Sequence, residues 1–150
     1  PVAPWQWAGT DPDLILPYDI VLRESLKWEE KPMYNAVYVQ GETTGIRGFV
    51  KLSGTAGDYQ APMVVDPMIG DEAAARQRGI SILASGGKQA RVSLELPMHE
   101  DIGVIEPAML LKITGDNDWY GLSRSVSISS SIAGNGKITT RQTVELERHY

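Results

Sequence analysis

The sequence has no cysteine, which excludes disulfides, thiolate-bound metals and cysteine nucleophiles. Histidine is scarce as well: among 150 residues only His99 and His149 can supply imidazole chemistry. Positive charge is in the minority, with 14 Lys and Arg against 19 Asp and Glu and a formal net charge of -5. The cations are scattered, so a phosphate backbone finds no electrostatic footprint and nucleic acid is not expected as a partner. No apolar run is long enough to span a bilayer, and the first residues lack the basic-then-apolar layout of a signal peptide; a soluble chain with no membrane partner is expected. No internal repeat shows at the periods of solenoids or propellers.

What is present suits a globular fold. Hydrophobic residues make up 42% and charged residues 22%, and the length is enough for one domain to bury a core unaided. Residues 1–19, "PVAPWQWAGTDPDLILPYD", hold four of the nine prolines and no periodicity, and read as an extended Pro-rich arm or linker. The remainder, 20–150, reads as one domain: a strand and hairpin region over 20–69, a helix over 71–85 and a β-meander or barrel over 90–149. The start at Pro1, and two tryptophans (Trp5 and Trp7) in a segment poorly able to bury them alone, suggest a piece of a longer protein. An exposed apolar patch is expected around those tryptophans.

Local signals set the elements. "IVLRESLKWEE" is compatible with a strand or a short helix. "YNAVYVQGETTGIRGFVKLSG" predicts a hairpin with strands near Ala36–Gln40 and Ile46–Leu52. "GDEAAARQRGISILASGG" predicts a helix. It has Asp71 and Glu72 at its positive end, small contacts along a face of Ala74, Ala75, Arg78, Ile82 and Leu83, and Gly86 as left-handed terminator. "RVSLELPM" alternates, placing Val92, Leu94 and Leu96 on one face. Three more strands follow, "IEPAMLLKITG", "WYGLSRSVSISSSI" and "ITTRQTVELERH", the last two joined by a Gly134-Asn135-Gly136 turn, with Val126, Ile128, Val144 and Leu146 toward the core. The expected fold is α+β, mainly β with one helix: an antiparallel meander closing into a small barrel or strongly curved sheet, preceded by a β-hairpin region.

Candidate chemistry is sparse. His99-Glu100-Asp101 lies between strands, and neighbours on an extended chain point apart, so a solvated loop is expected there in place of a metal or catalytic site. "SGGKQ" departs from a phosphate loop: Ile82 occupies the first glycine position, Gln89 follows Lys88, and the glycines close a helix instead of opening one. "GIRG", Gly45 to Gly48, has the spacing of a nucleic-acid-clamping loop but sits between strand-like segments, where a hairpin turn is expected. Pairs drawn from Glu42, Asp58, Asp66, Glu95, Glu106 and Glu145 are open to glycoside hydrolysis, with nothing in their spacing selecting one. Trp5, Trp7, Trp28 and Trp119 are spread over three segments and read as core or interface anchors. Serines 125, 127, 129, 130 and 131 read as an exposed strand face. No catalytic, cofactor-binding or metal-ligating residue is assigned.

From Ser53 onward the series "SGTAGDYQAPMVVDPMI", "AAARQRGISILASGGKQARVSLELPM", "DIGVIEPAMLLKI", "GLSRSVSIS" and "TTRQTVELERH" resembles the C-terminal portion of tail or baseplate hub proteins of tailed bacteriophages, and is similar to the hubs of phage-derived injection machines. One departure stands out. Where such proteins usually carry Pro-Gly, this chain has Pro107-Ala108, which disfavours a type II turn with positive φ and predicts a type I or open turn. The resemblance implies a virion structural protein of the tail, assembled in the bacterial host cytoplasm. It implies homo-oligomerisation, commonly as a trimer, with partners among tube, spike or fibre components, and neither enzyme activity nor a cofactor. A reading from another class is a tail-tip carbohydrate-binding or cell-wall-glycan-degrading module, which requires two carboxylates or an aromatic row to converge on one groove.

Overall fold

The computed structural model describes residues 3–43 and 45–150. In chain order its elements are β1 (Leu14–Pro17), β2 (Arg23–Lys31), β3 (Ala36–Gly41), β4 (Arg47–Lys51), β5 (Gln60–Asp66), α1 (Glu72–Ala84), β6 (Gly87–Pro97), β7 (Leu110–Thr114), β8 (Trp119–Ile132) and β9 (Ile138–His149). A 3-10 turn (Pro4–Gly9) precedes β1. The α+β class, mainly strand with one helix and a curled sheet, is the one expected. Two compact units divide the chain: Pro1–Trp5 with Glu30–Lys88, and Gln6–Glu29 with Gln89–Tyr150.

The first unit is a three-stranded sheet, ordered β4-β3-β5, with α1 packed on β3 and β4. β3 and β4 form the expected antiparallel hairpin, and β5 joins the other side of β3 in parallel. "GIRG" accordingly runs from the β3-to-β4 connection into β4, with Gly45 at φ +67 and Arg47 and Gly48 paired to β3. Asp71 caps α1, its carboxylate accepting from the Ala74 N–H at 2.7 Å and satisfying a donor the helix itself cannot. The buried stripe of α1 is Ala75, Gly79 and Leu83, set four apart. Packing through small residues is therefore as expected, but Gly79 takes the inward position, and Arg78 turns outward to Asp66 at 3.0 Å. The fit is tight: a Cβ at Gly79 would stand 2.3 Å from Val50 Cγ2, and one at Gly48 would stand 3.1 Å from Ala75 Cβ. The helix terminator also differs from expectation. Gly87 adopts the left-handed conformation (φ +87), whereas Gly86 is glycine because a Cβ there would meet the Pro32 carbonyl oxygen at 2.6 Å.

The second unit is a six-stranded sheet ordered β1-β7-β8-β9-β6-β2, curled into a half-barrel. β7, β8 and β9 form a meander, and β6 lies on the far side of β9, so the first strand of the series neighbours the last. β1 runs parallel to β7, from Leu14 opposite Leu111 to Pro17 opposite Thr114. Asp13 anchors that pairing, because its N–H donates to the Leu110 carbonyl at 2.8 Å and its carboxylate accepts from the Leu110 N–H at 2.7 Å. Leu16, Val92, Leu94, Leu96, Ile105, Leu111, Ile113, Val144 and Leu146 fill the core. Ile128, expected inside, is 52% exposed: it lies on the stretch of β8 beyond Leu122, where β7 no longer pairs with that strand. Trp7, expected in an exposed patch, is 4% exposed: the 3-10 turn sets it edge-on against His149, with ring centroids 5.3 Å apart.

At Pro107-Ala108 the structure overturns the expectation. Ala108 has φ +71, the one positive φ at a non-glycine among the described residues, and the Met109 N–H reaches back to the Glu106 carbonyl. That is a type II arrangement without its glycine. It is retained because the Ala108 N–H donates to the Ser123 carbonyl at 2.8 Å and the Ser123 N–H donates to the Met109 carbonyl at 2.9 Å, fastening the turn to β8. An L-residue pays roughly 1 kcal/mol for this conformation. Ala108→Gly is expected to raise stability by about 1 kcal/mol in urea titration with an unchanged slope; an unchanged or lowered midpoint would contradict the strain.

Candidate interaction sites

The His99 corner is a tight turn. The His99 carbonyl accepts from the N–H groups of Ile102 (3.2 Å) and Gly103 (2.9 Å), and Gly103 supplies φ +65. His99 Nδ1 lies 2.9 Å from Asp101 Oδ2, and both side chains are mostly exposed. Among the described residues no three His, Asp or Glu side chains are placed to share a metal ion. The corner is held from behind by a residue the sequence did not single out. Gln142, fully buried on β9, accepts the Ile105 N–H at its Oε1 (3.1 Å) and donates from Nε2 to the Gly103 carbonyl (2.9 Å). Its position in the alternating run Gln142, Val144, Leu146 was the available signal.

Four of the candidate carboxylates have local partners. In the first unit, Asp58 accepts from the Asn35 side chain at 2.8 Å, which holds its carboxyl below the usual range, and Asp66 pairs with Arg78. In the second unit, Glu95 pairs with Arg141 at 2.6 Å and Glu145 accepts from the Ser125 hydroxyl at 2.9 Å. "SGGKQ" carries the chain out of α1 into β6. Serines 125, 127, 129, 130 and 131 lie on the exposed stretch of β8, as expected.

A charged cluster gathers around His149, the penultimate residue. β9 continues through it, with His149 opposite Gln89 in register. By period two it shares a face with Glu147, whose Oε1 lies 2.6 Å from His149 Nε2. A bulge between Ser123 and Ser125 aims Arg124 at the same carboxylate, its Nε donating at 2.6 Å. Arg91, opposite Glu147 on β6, pairs with Glu29 at 2.8 Å. The His149 hydrogen bond, followed by Arg124, pulls the Glu147 carboxyl down to about 2 against the opposing effect of burial. A carboxyl depressed in the folded state stabilises above its unfolded value, near 4.5, and that stability fades as pH falls toward about 2. Glu147→Gln is expected to cost about 2 kcal/mol at neutral pH and to show a smaller fall in melting temperature between about pH 5 and pH 3 than the parent chain. Equal acid sensitivity in the two proteins would contradict this.

An open cleft in the second unit is lined by Tyr18, Glu24, Asp116, Asn117, Trp119 and Arg148. The Tyr18 hydroxyl donates to Glu24 Oε2 at 2.5 Å, and that bond raises the phenol's affinity for its proton. The Arg148 guanidinium lies 4.5 Å from the ring centroids of both Trp119 and Tyr150, and Tyr150 packs on Trp28 at 4.7 Å. Two of the four tryptophans are thus joined through Arg148 and Tyr150, an arrangement that sequence spacing did not reveal. Trp119 also packs on the core. Asp118 holds the adjoining loop: it accepts the Gly115 N–H at 3.2 Å and pairs with Lys112 at 2.9 Å, lowering its own carboxyl and raising the lysine.

No family model matches the sequence. No curated protein matches it either. The fold does have solved counterparts. The tail protein from Neisseria meningitidis MC58 superposes with TM-score 0.54 at 13% identity, over 93% of this chain and 45% of that one. The 43 kDa tail protein of prophage MuSo2 from Shewanella oneidensis superposes with TM-score 0.50 at 14% identity, over 91% of this chain and 42% of that one. The chain therefore spans less than half the length of either protein, and at these identities the likeness is one of fold: the architecture described above recurs in these two tail proteins.

Proposed function

We propose that the chain is a structural part of a bacteriophage tail or baseplate hub, assembling through protein–protein contacts to connect tail tube and tail tip. The observation that carries this reading is the shared fold, which extends over nearly the whole chain in both tail proteins. An exposed apolar surface adds support. On the face of the three-stranded sheet opposite α1, Tyr38 packs on Phe49 at 4.6 Å, and both stay about half exposed beside Val65. Exposed aromatics grouped on one sheet face have the composition of an interface core. In this reading the protein works as an oligomer, a trimer when full-length, with other tail proteins as partners, and performs no catalysis. Antibodies against the chain are expected to decorate one end of purified tail particles of the phage that encodes it, and light scattering is expected to give the full-length product a trimer mass. Absence from the particles, or a monomer at high concentration, would contradict the proposal.

A further inference from the structure

We propose that the cleft beside Arg148 is a binding site for a neutral saccharide, independent of the assembly role. Two aromatic rings, Tyr18 and Trp119, line it together with groups that both accept and donate hydrogen bonds: Glu24 and Asp116 accept, and Asn117 and Arg148 donate. Rings beside polar groups of both kinds match a pyranose, which presents apolar C–H faces and a rim of hydroxyls that are at once donors and acceptors.

The site is built in advance. The Arg148 guanidinium packs against both Trp119 and Tyr150, and among the described residues no carboxylate pairs with it, so its N–H groups keep their capacity for a ligand. Glu24 is oriented by the Tyr18 hydroxyl and retains further lone pairs. Tyr18 itself lies close over the backbone, since a Cβ at Gly115 would stand 3.3 Å from Tyr18 Cβ. Asp118 is occupied with the Gly115 N–H and Lys112, which fixes the loop and leaves Asp116 and Asn117 at its tip. Charge narrows the ligand class: two carboxylates against one guanidinium disfavour a simple anion, and it is the two rings beside donors and acceptors that favour a neutral polyhydroxyl group.

The test is NMR titration of the chain with chitohexaose, cellohexaose and maltoheptaose, with inorganic phosphate and a uronic-acid oligomer as the charged arms. At least one neutral sugar is expected to shift the Trp119 indole N–H and the amides of residues 115–118. The double substitution Asp116→Ala with Asn117→Ala, at the loop tip, is expected to weaken that binding about tenfold with no change in melting temperature. Arg148→Lys keeps the charge but loses the flat fork, and is expected to weaken binding while the fold is retained. Shifts caused by phosphate or the uronic-acid oligomer alone, shifts located elsewhere, no shift with any sugar, or unweakened binding by the double variant would each overturn the proposal.

Discussion

The second unit depends on one constraint, the two-residue alternation of β9. Lying between β8 and β6, this strand turns Gln142, Val144 and Leu146 into the core and Glu145, Glu147 and His149 outward. A slip of one residue would bury three ionisable side chains and expose the apolar ones, so register is strongly specified. The buried face carries a polar member for a reason. Gln142 supplies one acceptor and one donor to a loop segment that has no strand partner, and the loop's Ile105 side chain can then join the core. The outward face gathers Glu147, Arg124 and His149 into one network, with Trp7 against the histidine.

The first unit meets a different constraint. With Gly79 and Gly48 at its contacts, α1 approaches β4 closely, and the small sheet offers its other face, with Tyr38 and Phe49, to solvent. One face of a three-stranded sheet is thereby satisfied within the unit and the other is left available for association, which is the behaviour asked of a subunit in a larger assembly.

Where signals were local, the sequence was legible. The Asp71 cap, the alanine-rich helix, the glycine turn at 134–136 and the alternation of Val92, Leu94 and Leu96 each arise within a few residues, and each appears in the structure. Non-local choices were not legible. The position of β6 beside β9 depends on pairing across the intervening meander. At Ala108 a turn preference worth about 1 kcal/mol yields to two hydrogen bonds with Ser123, a partner fifteen residues away along the chain that no local rule consults. The cleft was hidden for the same reason, because Tyr18, Asp116 and Arg148 come from three separated segments. His149 gains its order from Gln89 on another strand.

A single buried glutamine on β9 converts the loop after β6 into part of the core. Native-state hydrogen exchange at the Ile105 amide tests it most directly. Although Ile105 lies outside any strand, its N–H should exchange as slowly as the amides of β9 and lose that protection in Gln142→Leu. Exchange in the parent chain at the rate of the exposed loop around His99 would contradict the account.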